Sequence, residues 1–443
     1  MNPVIARHAI YLPIQRALGG DLKVALRFHA DIERQPESEL EKYQEGALKE
    51  LLDHVFSNVP FYREIVRKQP DLRTKDPFDI LARLPIVSKA DIREDISLFR
   101  DSKYTPFWRS TSGSTGLPFR FCKDRPSLLQ MDAAMHAVYS WYGIEIGDRQ
   151  ARIWGRALRP RQRMAQGVKD LLLNRRRLSA FGITRETSRT FFSALERFRP
   201  AFIYCYPNAA VLFARYLNDM SLNGRALSLK AIICTSEPLL ENHRSFLTDA
   251  FGCPVISEYG NSENGILAFE CERGQMHALC GNVILEFLNN GKPASPGCLA
   301  EIAVTELHSR SIPFIRYRTG DLGAPRAERC TCGRPLPLVQ LSCGRDHSFI
   351  LRPDGTRVHA ALLAYILKQG ILQFRVIQLN LRELIVEFVP DHTYTDGLER
   401  IFRKRLHKYF GKEFFIRFRK VAHIPPEKNG KVLYFVSQIG TQL

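Results

Sequence analysis

The spacing of hydrophobic and polar positions predicts helices in the first part of the chain. Within residues 41–61 the apolar side chains fall at i, i+3, i+4, i+7 and i+8, namely at Leu48, Leu51, Leu52, Val55 and Phe56. This spacing is typical of an amphipathic helix, and we expect Pro60 to end it. The polar residues that open the run Ser88-Lys-Ala-Asp-Ile predict the N-terminal cap of another helix.

From about residue 200 the pattern changes to short apolar runs that alternate with helical periodicity. The predicted strands cover residues 201–206, 229–234 and 254–258, and the predicted helices cover residues 209–218 and 241–251. This alternation predicts an α/β fold with much parallel sheet. Residues 283–288 and 299–305 are typical of a strand pair, which we expect the turn sequence at 289–293 to join.

The C-terminal part of the chain has a periodicity of its own. Residues 324–343 are rich in Pro, Arg and Cys and interrupt the earlier pattern. Beyond them the pattern predicts strands at 371–379, 383–389 and 414–420, and a helix at 394–410. We therefore predict two domains. Residues 1–343 form a large α/β domain with mixed sheets and flanking helices, and residues 344–443 form a small, mobile α+β domain.

Charge and composition narrow the class of protein. The chain has 443 residues, with 64 Lys and Arg against 46 Asp and Glu, and a formal net charge of +18. Such a balance indicates anionic partners, among them nucleotides, CoA, an acidic carrier protein, nucleic acid or anionic lipid, although basic charge also serves solubility alone. The sequence shows neither a secretory signal nor an apolar run of about 18 residues. We therefore expect no integral membrane segment, a cytoplasmic location and reduced cysteines.

The stretch Ser110-Thr-Ser-Gly-Ser-Thr-Gly-Leu-Pro118 is the first candidate for chemistry. Seven of its nine residues are Ser, Thr or Gly. Hydroxyl groups and closely approaching backbone N–H groups are what a polyphosphate requires. The stretch lacks the Gly-Lys-Ser/Thr ending of the usual nucleoside-triphosphatase loop, and taken alone it is also compatible with a flexible turn.

Four further motifs follow this loop along the chain. They are Glu258-Tyr-Gly-Asn-Ser-Glu-Asn-Gly265, Arg316-Tyr-Arg-Thr-Gly-Asp321, Gly344-Arg345 and Asn429-Gly-Lys431. The ordered set, over about residues 105–435, resembles the adenylate-forming superfamily of acyl-CoA synthetases, peptide-synthetase adenylation domains and luciferases. Three features resemble its phenylacetate–CoA ligase branch, which includes relatives associated with capsular polysaccharide biosynthesis. They are Phe119 in place of a common Lys, Ser236-Glu-Pro238, and Cys-x-Cys-Gly-Arg at 330–334.

The resemblance implies that ATP and Mg²⁺ activate a carboxylic acid as an acyl-adenylate, which then passes its acyl group to CoA. Two steps thereby replace the slow attack of a thiol on a carboxylate. The phosphate-binding residues that it implies are Thr111, Ser112, Gly113, Ser114, Thr115 and Gly116. The other nucleotide-binding residues that it implies are Ser236, Glu237, Pro238, Tyr259, Asp321 and Arg345.

The resemblance also assigns roles within this set. Asp321 matches the aspartate that accepts hydrogen bonds from both ribose hydroxyls, and Tyr259 is expected to border the adenine. Two residues are expected to be catalytic. Glu263 matches the glutamate associated with Mg²⁺, a cation that prefers oxygen ligands. Lys431 matches the C-terminal lysine, whose long side chain reaches the acid and the α-phosphate together.

In the superfamily the small C-terminal domain rotates between the two half-reactions. The hinge residue is commonly acidic and lies two positions after the Arg of the Gly-Arg motif. Here His347 occupies that position and Asp346 precedes it, so the sequence departs from the pattern at the expected pivot.

Two separated pairs of residues are candidates for a structural zinc site. Cys271 and His277 lie six residues apart, and Cys330 and Cys332 form a Cys-x-Cys pair. Three thiols and one imidazole match a closed tetrahedral zinc site, and some members of the branch resemble this arrangement. Unrelated buried thiols are the alternative, and Cys280 or Cys343 could replace one of the four.

A basic segment covers residues 156–177. Its cationic residues are Arg156, Arg159, Arg161, Arg163, Lys169, Arg175, Arg176 and Arg177. Apolar residues lie between them at roughly helical spacing. The segment is compatible with a helix that faces an acidic carrier protein, CoA phosphates or a membrane surface, and equally with a solvated helix face. No nucleic-acid motif accompanies it, so we expect no nucleic-acid partner.

We therefore predict an AMP-forming acid–thiol ligase for a small carboxylic acid, by default an aromatic one. The aromatic residues Trp141, Tyr142, Tyr206 and Phe269 are candidates for the acid pocket or for ordinary core. An alternative keeps adenylation and changes the acceptor to a carrier-protein thiol, an amine or a sugar, or transfers AMP itself. The least favoured alternative is a non-catalytic binding protein. The acid, the acceptor and the oligomeric state, for which a dimer is plausible, stay open.

Overall fold

The structure is a computed structural model that describes residues 1–111, 119–155, 160–180, 182–345, 349–360, 363, 366–367, 369–426 and 432–439. The chain divides into two compact units. Unit 1 consists of Met1–Asp148 and Glu258–Leu341, and unit 2 consists of Arg149–Ser257 and Ser342–Leu443.

The α-helices of the described residues are α1 (Pro3–Ile5), α2 (Leu12–Ala17), α3 (Leu22–Ile32), α4 (Glu37–Asn58), α5 (Pro60–Lys68), α6 (Pro77–Arg83), α7 (Lys89–Glu94), α8 (Arg125–Ser140), α9 (Pro160–Leu172), α10 (Arg185–Phe198), α11 (Pro207–Asp219), α12 (Glu241–Phe251) and α13 (Gly397–Phe410). A π-helix, Ala6–Tyr11, joins α1 to α2. Short 3₁₀ helices cover Pro70–Thr74 and Gly224–Leu227.

The strands are β1 (Phe107–Ser110), β2 (Arg120–Lys123), β3 (Gln150–Trp154), β4 (Arg175–Ser179), β5 (Phe202–Cys205), β6 (Ala231–Thr235), β7 (Val255–Asn261), β8 (Gly265–Glu270), β9 (Met276–Ala278), β10 (Val283–Asn289), β11 (Lys292–Pro293), β12 (Ala300–Glu306), β13 (Tyr317–Pro325), β14 (Leu338–Arg345), β15 (Phe349–Leu351), β16 (Arg357–His359), β17 (Ile371–Asn380), β18 (Glu383–Pro390), β19 (Phe415–Lys420) and β20 (Phe435–Ser437).

Unit 1 is built on antiparallel strands in the order β11, β10, β12, β13, β14, β9, β8 and β7. The apolar stripe of α4 is buried, as its spacing predicts, and packs against Ile284, Leu307 and Ile315. Strands β1 and β2 form a separate antiparallel ribbon, so that Ser110 and Arg120 face each other at its end. This ribbon places both ends of the Ser/Thr/Gly loop side by side.

The structure corrects the predicted end of the first helix. Helix α4 ends at Asn58, and Pro60 is the first residue of α5 instead of a terminator. Proline suits this position because the first helical N–H needs no partner within the helix and φ is already set. The predicted cap at Ser88 is confirmed. Its hydroxyl accepts from the backbone of Asp91, and the Asp91 carboxylate accepts from the backbone of Ser88.

The predicted strand pair near residues 283–305 is confirmed, with one difference at the turn. Strands β10 and β12 pair antiparallel over Val283–Leu288. The turn at Asn290 and Gly291, both with positive φ, first returns the chain to β11, which pairs with the end of β10. The chain therefore reaches β12 only after this short extra strand.

Unit 2 contains a parallel sheet in the order β6, β5, β3 and β4, and its strands alternate with helices as predicted. The predicted helix at 241–251 matches α12, and β5 and β6 lie within one or two residues of their predicted bounds. Strand β6 is buried throughout and β3 and β5 are mostly buried, as expected inside a parallel sheet, whereas the edge strand β4 buries only Leu178.

The C-terminal residues of unit 2 form a smaller sheet in the order β19, β18, β17 and β20. Helix α13 buries Phe402, Leu406 and Phe410 in the core of this sheet. The three strands and the helix predicted there are confirmed. The fold class is therefore α/β with a large mixed sheet and a small C-terminal sheet domain. One unit boundary, Leu341–Ser342, lies near the predicted domain boundary, but the functional domains 1–343 and 344–443 stay a prediction.

Among the described residues, no helix is both long enough and apolar enough to cross a membrane.

Candidate functional site

The loop expected to bind phosphates is anchored at both ends. The backbone N–H of Thr111 donates to the carbonyl oxygen of Phe119 at 3.0 Å, and the N–H of Phe119 donates to Oγ1 of Thr111 at 3.3 Å. Phe119, which stands where many relatives carry Lys, is buried and stacks on Phe121 at 5.6 Å. These two hydrogen bonds hold the ends of the Ser/Thr/Gly loop together at the end of the β1–β2 ribbon. Ser112, Gly113, Ser114, Thr115 and Gly116 lie outside the described residues.

Glu263 lies at the tip of the hairpin formed by β7 and β8. The hairpin requires glycine, because a Cβ on Gly260 would lie 2.2 Å from the carbonyl oxygen of Gly265. Asn261 accepts from the backbone of Asn264 at 2.7 Å and tightens the turn. Although it is at a hairpin tip, Glu263 is only 3% exposed. A buried carboxylate at such a position requires cationic or hydrogen-bonding partners.

Two side chains supply those partners. The hydroxyl of Tyr317 donates to Oε1 of Glu263 at 3.1 Å, and the ammonium of Lys89 lies 2.9 Å from the same oxygen. Burial and the neighbouring carboxylate raise the pKa of Tyr317, so the phenol stays a donor. Lys89 is the first residue of α7, and its ammonium also lies 5.5 Å from the centre of the Phe119 ring. A lysine from another element thus lies beside the position where the usual lysine is missing.

The segment before α7 is fixed to β13 by backbone pairing. Val87 donates to the carbonyl of Arg316 at 3.1 Å and accepts from the N–H of Arg318 at 2.8 Å. The Arg316 side chain has a structural task, because it pairs with Glu286 and donates to the carbonyls of Ala82 and Leu84 at the end of α6. The motif that contains Asp321 therefore also anchors the chain that presents Lys89.

The side chains of Tyr259, on β7, and Asp321, on β13, are hydrogen-bonded within unit 1. The Tyr259 hydroxyl donates to Oδ2 of Asp321 at 3.1 Å, and it lies 3.4 Å from the hydroxyl of Thr319. Thr319 in turn accepts from the backbone of Asp321 at 3.1 Å and donates to the carbonyl of Ile302 at 3.0 Å. The carboxylate is half-buried and held in one orientation, which suits a bidentate acceptor for a diol.

A buried ion pair connects the loop ribbon to the Glu263 hairpin. Lys123, at the end of β2, is fully buried, and its ammonium donates to Oε2 of Glu306, which also accepts from Asn264 at 3.1 Å. Burial lowers the pKa of Lys123 and raises the pKa of Glu306, while their mutual attraction favours both ions. Because Asn264 directly follows Glu263, this pair holds the hairpin against the ribbon.

In unit 2, the Ser236–Pro238 stretch follows β6 and contacts the C-terminal segment. Ser236 has a φ of 69°, in the left-handed region that residues with side chains rarely adopt. Glu237 accepts from the backbone N–H of Val432 at 2.8 Å and from the side chain of Asn208 at 2.9 Å. Val432 is the residue after Lys431. Lys431 itself lies outside the described residues.

The two predicted pairs of metal ligands come together in unit 1. The candidate ligand atoms of Cys271, His277, Cys330 and Cys332 all lie within 4.8 Å of one another. The Sγ atoms of Cys271 and Cys330 are 3.6 Å apart, and Sγ of Cys332 lies 3.4 Å from Nε2 of His277. Four such atoms at these separations surround a volume suited to one tetrahedral Zn²⁺.

Hydrogen bonds around this group prepare it for a cation. Nδ1 of His277 lies 3.1 Å from the carbonyl oxygen of Leu336, so Nδ1 carries the proton and Nε2 keeps its lone pair. Burial raises the pKa of Cys271 to about 12, so this thiol ionises only with strong help from a cation. Burial alone would raise the pKa of the Cys332 thiol. Hydrogen bonds from Arg334 outweigh this effect, so the net result is a lowered pKa. Cys343 lacks a described side chain, and Cys280 lies outside the group.

Comparison with known proteins finds relatives of this chain. Residues 350–438 match the family described as the CapK C-terminal domain. Protein CapK of Staphylococcus aureus is 22% identical over 421 residues, which cover 93% of this chain and 92% of that protein. The phenylacetate–coenzyme A ligase of Thermus thermophilus is 26% identical over 357 residues, which cover 76% and 78%.

Solved structures agree on the fold. A 2-hydroxyisobutyryl-CoA ligase in the postadenylation state with 2-HIB-AMP has a TM-score of 0.71 at 20% identity, covering 92% of this chain and 91% of that one. The same ligase with 2-HIB-AMP and CoA in the thioesterification state has a TM-score of 0.59 at 20% identity, with 91% of each chain covered.

The chain is similar to members of the adenylate-forming superfamily, in the branch of CapK and the phenylacetate–CoA ligases, as its ordered motifs predict. Two of the relatives are phenylacetate–coenzyme A ligases and the fold is that of a CoA ligase, in agreement with the predicted class of AMP-forming acid–thiol ligases. The relatives carry different acids in their names, so they do not specify an acid for this chain.

The structure brings together part of the site that the sequence predicts. Within unit 1 it joins Tyr259 to Asp321 and brings the four candidate zinc ligands into one group. Within unit 2, Glu237 accepts a hydrogen bond from Val432, the residue that follows Lys431, and the carbonyl of Pro238 accepts from the hydroxyl of Tyr434 at 3.3 Å. The side chain of Arg345 is not described, and the expected hinge residues Asp346 and His347 lie outside the described residues. The roles of these residues stay predictions.

Lys89, Lys123 and Glu306 were missed by the sequence interpretation. Lys89 could have been found from the sequence, because it directly follows the predicted cap Ser88. No sequence pattern identifies Lys123 and Glu306, since only the folded chain brings residues 183 positions apart into contact. Apolar spacing identifies what is buried, but it does not reveal which charges are buried in pairs.

Three of the four aromatic residues considered for the acid pocket pack close to the metal-ligand group. Trp141 contacts Phe269 at 5.7 Å and His277 at 6.0 Å between ring centres, and the guanidinium of Arg334 lies 4.1 Å from its ring. The Tyr142 hydroxyl donates to the carbonyl of Glu270. Of the two interpretations offered for these residues, the geometry favours core packing around the Cys/His group.

Proposed function

We propose that this protein uses ATP and Mg²⁺ to convert a carboxylic acid into an acyl-adenylate and then transfers the acyl group to CoA. The observation that carries the proposal is the buried Glu263, held by Tyr317 and Lys89. It lies in the unit that also orients Asp321 through Tyr259. Burying a carboxylate is costly, and a buried carboxylate beside cationic and phenolic partners is a candidate for metal or phosphate chemistry.

The residues suit the chemistry of adenylation. The carboxylate of Asp321 would accept hydrogen bonds from the ribose hydroxyls, and the phenol of Tyr259 limits its rotation. Glu263 would supply a hard oxygen ligand to Mg²⁺, which neutralises phosphate charge when bound. Lys89, and Lys431 from the C-terminal segment, would place positive charge near the phosphate oxygens, where charge develops during attack on the α-phosphate.

The acid is proposed to be aromatic, because two named relatives are phenylacetate–coenzyme A ligases. CoA is the proposed acceptor, because the 2-hydroxyisobutyryl-CoA ligase binds CoA in the same fold. A second acceptor class has a specific observation in its favour. The match to Protein CapK covers nearly the whole chain, and the CapK C-terminal domain family matches residues 350–438. In that version an amine, a sugar or a carrier-protein thiol of polysaccharide assembly receives the acyl group.

The four-residue group of unit 1 is proposed to hold a structural Zn²⁺. Its donors fill a tetrahedral shell completely, so no position would remain for substrate or water. The nearby guanidinium of Arg334, which also pairs with Glu272 at 2.9 Å, would offset the excess negative charge of three thiolates. Such a site would fix the two turns that contain the ligands and leave the chemistry to the nucleotide site.

A screen of carboxylic acids for AMP release, with and without CoA, tests the proposal. We expect AMP release with at least one arylacetic or benzoic acid, and a rate that rises strongly when CoA is added. Release that is acid-dependent but indifferent to CoA would favour the second acceptor class. Acid-independent hydrolysis of ATP across the whole screen would contradict acyl activation.

A further inference from the structure

Helix α9 exposes its apolar residues instead of burying them. Met164 is 73% exposed, Val168 55% and Leu171 70%, and Leu172 is exposed as well. These positions are related by i, i+4, i+7 and i+8, so they form one stripe along a single face. In a helix that packs on a protein core, such a stripe faces inward.

The opposite face of α9 carries polar groups that are buried and paired. Asp170 is 8% exposed and accepts from Gln166 at 2.9 Å. The guanidinium of Arg177 donates two hydrogen bonds to the same carboxylate, at 2.9 Å and 3.0 Å. A bidentate ion pair therefore fixes the helix with its polar side inward, which leaves the apolar stripe outward.

The surroundings of the stripe are basic. Lys169 is exposed on the helix itself, and Arg176 is exposed on β4, the edge strand that follows. Asp170 is the only acidic residue of α9, and its carboxylate is already paired with the guanidinium of Arg177. The chain as a whole carries a net charge of +18.

We propose that α9 lies in the surface of an anionic lipid bilayer. The stripe of Met164, Val168, Leu171 and Leu172 enters the boundary between headgroups and acyl chains, while the flanking basic residues contact lipid phosphates. An interfacial helix of this kind needs an apolar ridge beside cationic residues and no partner of matching shape. A second copy of this chain would bring equal positive charge to the contact, so the charge pattern favours lipid.

Sedimentation of the full-length protein with vesicles tests the proposal. One set of vesicles contains equal parts of phosphatidylcholine and phosphatidylglycerol, and the other contains phosphatidylcholine alone. We expect binding to the anionic set, weaker binding at high salt, and little binding to the neutral set. The double variant Met164→Ser/Leu171→Ser should bind at least about tenfold more weakly. Leu299→Ser, at an exposed apolar position of unit 1, is the matched control and should bind like the wild type.

Since the substituted side chains are exposed, the double variant should keep the melting temperature of the wild type, which verifies folding. Equal binding of the wild type and the double variant would overturn the proposal, as would equal binding to both vesicle sets. Light scattering of the lipid-free proteins tests the alternative that a second copy of the chain packs on the stripe. A wild-type dimer that the double variant converts to a monomer would assign the stripe to self-association and overturn the membrane role.

Discussion

Removing one partner of the buried Lys123–Glu306 pair tests how unit 1 holds its candidate active site. Lys123→Met keeps a long apolar side chain but removes the ammonium, which leaves Asn264 as the remaining described donor to Glu306. The other carboxylate oxygen, Oε1, has no hydrogen-bond partner among the described residues. An uncompensated buried charge costs about 3–5 kcal/mol, so the free energy of unfolding should fall by that amount near neutral pH.

The loss should depend on pH in a definite direction. Burial already raises the pKa of Glu306, and removing the ammonium raises it further. A carboxyl whose pKa is higher in the folded than in the unfolded state takes up protons on folding, so stability falls as the pH rises between the two values. The variant should therefore lie closer to the wild type at pH about 5 than at pH about 8.

Urea denaturation followed by circular dichroism measures both effects. The matched control is the double variant Lys123→Met/Glu306→Gln, in which no charge is left buried. It should recover most of the lost stability, because replacing both members of a buried pair is often close to neutral. If Lys123→Met unfolds at the wild-type urea concentration, or if the double variant is no more stable than the single one, the pair does not hold the hairpin as argued.

The metal group and two lysines provide further tests. Purified protein should contain about one zinc per chain by elemental analysis, and Cys332→Ser should lose it and melt at a lower temperature. Lys89→Met should slow ATP–pyrophosphate exchange at least about tenfold, because a cation beside Glu263 is lost where phosphate charge develops. Lys431→Ala should slow exchange on the order of 10²-fold with little change in ATP affinity, because its contact belongs mainly to the transition state.

Each of these tests has a matched control. Cys298→Ser removes an exposed thiol outside the metal-ligand group and should keep the zinc. Lys42→Met removes a lysine that is paired on the exposed face of α4, so it should leave exchange unchanged. Zinc retained by Cys332→Ser would show a wrong ligand, and wild-type exchange in Lys89→Met or Lys431→Ala would remove that lysine from the mechanism.

The sequence predicts more of the fold than of the site. Helix α12 and the C-terminal strands follow their apolar spacing, because burial of one face is a local pattern repeated along the chain. Pro60 shows the limit, since a proline is compatible with the end of one helix or with the start of the next, and the apolar spacing does not decide between them. For the site, ordered motifs identify Asp321 and Glu263. They do not reveal that Glu263 is buried beneath Tyr317 and Lys89, because that depends on strand pairing across the sheet.

Helix α9 was anticipated as an amphipathic segment, but its orientation could not be predicted. Helical spacing fixes which residues share a face and not which face points inward. The bidentate pair between Asp170 and Arg177 decides the orientation, and it forms only when β4 lies beside the helix.

Acid-dependent ATP–pyrophosphate exchange in wild type, Glu263→Gln and Asp321→Ala tests the central claim most directly. With an accepted acid, the wild type should exchange only when Mg²⁺ is present. Glu263→Gln should need much more Mg²⁺ for half-maximal exchange, and Asp321→Ala should raise the KM for ATP while leaving the Mg²⁺ requirement close to that of the wild type. Wild-type ATP and Mg²⁺ dependence in both folded variants would contradict the assignment of this site to adenylation.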